Sequence, residues 1–152
     1  MATVDQTMMK VQRILTGPMN LKINLQGDLI GVTFTDTSTQ VHIRIIDWGK
    51  TKDGEPRTLV RVTSPILRDV KGSPALYEYL VREAPKLYFG AIELSDDAQK
   101  PGLMFLTMVH TLLGDYLDEG ELSAALWGVL GAADEIDDKM KERFGGKRWT
   151  DA

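Results

Sequence analysis

Residues 118–144 read DEGELSAALWGVLGAADEIDDKMKERF, and the spacing of the apolar positions in this stretch decides the fold. Leu122, Leu126, Val129, Ala133, Ile136, Met140 and Phe144 recur at steps of three and four, which places them on one side of a helix and requires that side to be buried. Asp118 followed three residues later by Glu121 reads as a capping box. At the other end Gly145 suits the turn that stops a helix, while Lys139, Lys141 and Arg143 complement the negative end of its dipole. At 1.5 Å per residue such a helix is about 40 Å long, against a radius of gyration of about 15 Å for a domain of this size. It therefore crosses the whole molecule.

Upstream of this helix, residues 103–109 are apolar and read as a strand, although their Met and Leu content suits a helix equally well. Residues 95–102 form a turn rich in Asp with Pro, and residues 87–94 alternate as a strand. Ser73-Pro74 opens a short helix whose buried side is Leu76, Tyr77, Leu80 and Val81 and which Pro85 stops. Before it the period is two. Leu21, Ile23 and Leu25 alternate with polar residues, Gly27-Asp28 turns the chain, and Ile30, Val32 and Phe34 continue. A second turn spans 36–38, after which Val41, Ile43 and Ile45 face one way and His42 and Arg44 the other, towards Trp48. Residues 49–57, with Gly54 and Pro56, read as a loop, and 58–62 as a further strand ending at Pro65. At the start, Val4, Met8, Val11 and Leu15 mark a first helix over 3–15, stopped by Gly17-Pro18. Helix, a run of strands, helix, strands, helix implies an α+β fold: a two-layer structure with an antiparallel sheet and the long helices over one or both of its faces.

At 152 residues, 43% hydrophobic and 26% charged, the chain suits one domain that buries roughly two-thirds of its unfolded surface. With no internal repeat or low-complexity linker, that domain spans 1–146, followed by a short polar tail over 147–152. A net charge of -4, with 18 basic residues scattered among 22 acidic ones, argues against nucleic acid as a partner. No apolar run reaches the ~20 residues of a membrane span, and Asp5 and Gln6 interrupt any signal-like segment. Together with the absence of Cys, this suits the cytoplasm and removes disulfides, thiol nucleophiles and Cys-ligated zinc.

No residue pattern points to catalysis. Asp134, Glu135, Asp137 and Asp138 form an acidic cluster, but one straight helix cannot wrap the six to eight oxygens that Ca²⁺ takes, so it reads as a solvated helix face with Asp137 exposed. His42 and His110, the only histidines, have no partner in sequence, and no nucleophile turn or phosphate-cradling glycine pattern occurs. The expectation is a non-enzyme with no cofactor and no metal. What remains is apolar residues displaced from the helix stripes. Met8 and Met9 on the first helix, Trp127 and Leu130 on the last, and Trp149 in the polar tail are the candidates for a partner surface, since methionine adapts to varied ligands and tryptophan concentrates binding energy.

The chain resembles the type III secretion chaperone-like domains, a group that includes the bacterial YbjN proteins. The resemblance is most specific where Gly120-Glu121-Leu122 opens the last helix, which runs through Ala133-Asp134-Glu135-Ile136-Asp137-Asp138 to Arg143-Phe144-Gly145-Gly146. It implies a strongly twisted sheet in the order helix, three strands, helix, two strands, helix, and commonly a homodimer. It also implies binding of a protein or peptide partner, so the expected function is a chaperone or adaptor for another protein. The alternative is a regulatory domain acting on a folded partner in stress or signalling. The strands at 30–34 and 103–109 contain almost no Lys or Pro to blunt pairing, which makes them candidate edges for self-association.

Overall fold

A computed structural model describes residues 2–34, 40–84, 87 and 90–152. Its elements are α1 (Val4–Thr16), β1 (Lys22–Gln26), β2 (Leu29–Thr33), β3 (Val41–Lys50), β4 (Pro56–Lys71), α2 (Pro74–Arg82), β5 (Ala91–Asp96), β6 (Leu103–Leu113) and α3 (Glu119–Phe144). The fold is α+β, with helices and strand runs in the order the sequence implies. Four strands precede α2, as the residue pattern indicates, one more than the three implied by the resemblance. All six strands pair antiparallel in one sheet of order β1-β2-β3-β4-β6-β5.

The helix ends follow from capping chemistry. Thr3 accepts from the Gln6 N–H while the Gln6 side chain accepts from the Thr3 N–H at 3.0 Å, satisfying two donors of the first turn of α1. Asp118 accepts from the Glu121 N–H at 2.8 Å, and Gly145 ends α3 at φ 76°, where a side chain would be strained. The stripe from Leu122 to Met140 is buried against the sheet, and Phe144 is half-buried with its ring 5.3 Å from that of Tyr79. Val11 and Leu15 of α1 join the same core, with Ile30, Val41, Ile43, Val60, Val62, Leu106 and Met108 from the strands. Helices cover one face of the sheet, and the alternating side chains on the opposite face belong to no part of that core.

Several expectations need correction. The loop at 49–57 shrinks to the five residues between β3 and β4, and β4 does not end at Pro65 but runs sixteen residues through it. Pro65 sits where the β4–β6 register shifts, between Pro65 and Leu67, the kind of irregularity at which a strand tolerates proline. Residues 103–109 are strand rather than helix. Tyr77 and Val81 of α2 face solvent, Val81 at 74% exposure, and only Leu76 of that expected buried side is fully covered. β2 and β6 are interior strands, so 30–34 and 103–109 offer no edge; the sheet ends at β1 and β5. Asp137 is 4% exposed, not on the solvated face. The turn at 36–38, Pro85, and positions 86, 88 and 89 of the expected loop and strand lie outside the described residues.

Candidate functional site

Among the described residues, the sheet face opposite the helices is a feature that the core does not explain. Because strand side chains alternate, each core residue is flanked by neighbours that point the other way, and the register aligns these in rows. Ile46 on β3, Leu59 on β4 and Leu113 on β6 are successive cross-strand partners and form an apolar row. Next to it runs Leu29, Arg44, Arg61 and Thr111, and then Gly31, His42, Thr63, Val109 and Ala91. One solvated face is ordinary for an antiparallel sheet, but such a face is normally polar. Here Leu29, Ile46, Leu59 and Val109 are only half-covered and Leu113 is 46% exposed. At the rim, the guanidinium of Arg57 lies 3.8 Å from the centre of the Trp48 ring, a cation–π contact that shields part of an exposed indole.

Two hollows open on this face. One, of about 200 Å³, is lined by Leu29, His42, Arg44, Arg61 and Thr63. The other, of about 550 Å³, lies beside the edge strand and is lined by residues 90–93 and 109–111. Its outer rim is β5, which among the described residues pairs with β6 alone and therefore presents backbone donors and acceptors on its other side. Arg61 is ion-paired to Glu93 of β5, and Arg44 Nε lies 3.7 Å from Asp28. Burial holds the His42 imidazole below its usual pKa of 6.5, so it is neutral at pH 7. Among the described residues no group of three or more acidic, His or Cys side chains is placed to hold a metal ion, and no helix is long and apolar enough to cross a membrane.

The residues singled out from the sequence are not brought together. Met9 is 62% exposed on α1, while Met8 is half-buried and packs on the core. Trp127 is partly exposed on α3 with its ring edge-on to Phe34 at 5.3 Å. Leu130 is 4% exposed and is a core residue rather than a surface one. Trp149 lies 5.9 Å from Phe105 over a third hollow, of about 500 Å³, at the end of the sheet. Sequence reasoning missed the open face. The outward alternation of His42 and Arg44 is visible in the sequence, but not which face the helices cover, and Ile46 carries no signal of its own there.

A family model described as "T3SS (YopN, CesT) and YbjN peptide-binding chaperone 1", TY-Chap1, matches residues 31–152. A search of curated proteins finds no match to the sequence.

Proposed function

Because the chain belongs to the TY-Chap1 family of peptide-binding chaperones, we propose that it is a cytoplasmic, non-enzymatic chaperone or adaptor that holds a peptide segment of another protein on the open face of its sheet. The observation that carries this reading is the apolar row Ile46, Leu59 and Leu113, left uncovered while three helices pack on the opposite side. Contiguous apolar surface rimmed by polar groups marks interaction sites. An extended segment lying across this face passes from the Ile46, Leu59 and Leu113 row towards the hollow beside Val109, with alternate side chains seated on the sheet and its end reaching the edge strand β5. Affinity then comes from the apolar contact and selectivity from the polar side chains that neighbour the row.

A peptide array probed with the parent chain and with surface variants tests this. Leu113→Asp places a charge on the apolar row and abolishes retention of extended apolar peptides, whereas Met9→Asp on α1 leaves it unchanged. The opposite ranking overturns the assignment. We also propose a homodimer, formed away from this face through the exposed Tyr77 and Val81 of α2, which are four residues apart and share one side of the helix.

A further inference from the structure

Arg44 and Arg61 are direct cross-strand partners. Side chains in that relation have Cβ atoms only about 5 Å apart, and like charges placed so destabilise a sheet. Two carboxylates flank the pair, one on each outer side. Asp28, in the turn before β2, is 3.7 Å from Arg44 Nε, beyond hydrogen-bond distance, and both side chains are more than half exposed. Glu93 binds Arg61 from the other direction, off the edge strand β5. Neither carboxylate bridges the two arginines. The hollow of about 200 Å³ that the pair lines, with Leu29, His42 and Thr63, is below the ~300–1,000 Å³ of sites that enclose a small-molecule ligand. It is the right order of size for one side chain.

We propose that Arg44 and Arg61 form an anchor for a single carboxylate side chain of the bound peptide, so that the client segment carries an aspartate or glutamate among apolar residues. This rests on reading the open face as the peptide-binding surface. A carboxylate has two oxygens and about four acceptor sites, enough to take N–H donors from both guanidinium groups at once. Seated between them, it makes the bridge between the two guanidinium groups that neither Asp28 nor Glu93 makes. The Ile46, Leu59 and Leu113 row lies directly alongside, so a peptide anchored by its acidic residue has neighbouring side chains over apolar surface. An acidic chain of net charge -4 thereby favours acidic segments at one defined spot, against its overall field.

The test uses two capped nonapeptides of alternating valine and threonine with terminal serines, identical except for a central glutamate or glutamine. ¹⁵N-labelled protein is titrated with each, following the Arg44 and Arg61 Nε–Hε signals and the backbone amides of the open face. The expected result is that the glutamate peptide binds about tenfold tighter, the equivalent of about 1.4 kcal/mol and near the lower end for a hydrogen bond to a charged group. It shifts both arginine signals, and Arg44→Gln or Arg61→Gln reduces it to the level of the glutamine peptide. The peptide pair tests the anchor on the parent protein without any substitution. Equal affinities with open-face amides perturbed by both peptides overturn the anchor and leave the peptide-face reading standing. Perturbation confined to other surfaces, or binding by neither peptide, overturns both.

Discussion

Arg68 of β4 and Lys147 exchange both backbone hydrogen bonds, N–H to carbonyl at 2.8 Å in each direction, so the residues after α3 are joined to the sheet rather than frayed. Among the described residues β3 pairs with β4 as far as Thr63, and Lys147 satisfies backbone groups of β4 beyond that point. Removing residues 147–152 deletes these two bonds, worth about 1 kcal/mol each. Urea denaturation of the shortened chain is expected to show a stability loss of at least about 2 kcal/mol. An unchanged midpoint contradicts the docking.

Acid sensitivity should concentrate in the same segment. Lys141 Nζ at 2.7 Å and the Arg148 N–H at 2.8 Å both donate to Asp151 and hold its carboxyl well below its ordinary value of 3.8. A carboxyl with a depressed folded-state pKa contributes stability that is present above the unfolded value and lost as pH falls through the folded one. Asp137 acts in the opposite sense: burial raises its pKa, so its contribution falls as pH rises through the raised value. Comparing the parent with Asp151→Asn isolates the first effect. The variant is expected to melt lower at neutral pH and to lose less between about pH 5 and 3 than the parent does. Parallel melting curves across that range exclude it.

The centre of α3 gives a cavity test. Ile136→Ala is expected to cost ~2 to 5 kcal/mol, because it removes most of a buried side chain and leaves space behind. Asp137 is unsuitable as the neutral control, being 4% exposed. Exposed Glu135 serves instead, and Glu135→Ala should change the stability read from urea denaturation by less than about 0.5 kcal/mol.

Where α1 crosses the sheet, the contact admits no extra atom. Thr7 and Thr58 share a buried hydroxyl hydrogen bond of 2.8 Å, and a Cβ on Gly114 would lie 2.3 Å from Thr58 Oγ1. Thr58 cannot swing away without breaking that bond. Gly114→Ala is therefore expected to destabilise by ~1 to 3 kcal/mol, read by thermal denaturation. Thr7→Val in the same background should then cost less than in the parent, because the shared bond is already disturbed.

The proposed dimer is read by sedimentation at micromolar concentration. The parent is expected as a dimer and Val81→Glu as a monomer, since a charge on the exposed side of α2 is costly to bury. A monomeric parent sinks the dimer and leaves the peptide face untouched.

Much of this architecture was legible because periodicity reports what is buried. The α3 stripe and the alternation at Val41, Ile43 and Ile45 each identify an element and its covered side. Periodicity does not report which elements lie side by side. The strand at 103–109 shows no sign of lying between two others, and Pro65 reads as a stop because its register shift is a property of pairing with β6. Tyr77 and Val81 sit at helical spacing whether the core or solvent lies opposite. The candidate face suffered most, since Arg44 meets Arg61 only through a pairing of strands seventeen positions apart. The candidates picked as isolated large apolar residues were a proxy for exposed surface, which fitted Met9 and failed for Leu130.

The central claim is that a peptide lies on the open sheet face beside β5. Amide hydrogen exchange of the chain, free and saturated with a peptide retained on the array, tests it most directly. The account predicts slowed exchange along Ala91–Asp96 and in the β3 and β4 residues of the Arg44 and Arg61 row, with α1 and α3 unchanged. Protection confined to the helices, around Met9 of α1 or around Trp127 of α3, with β5 exchanging as in the free protein, contradicts it.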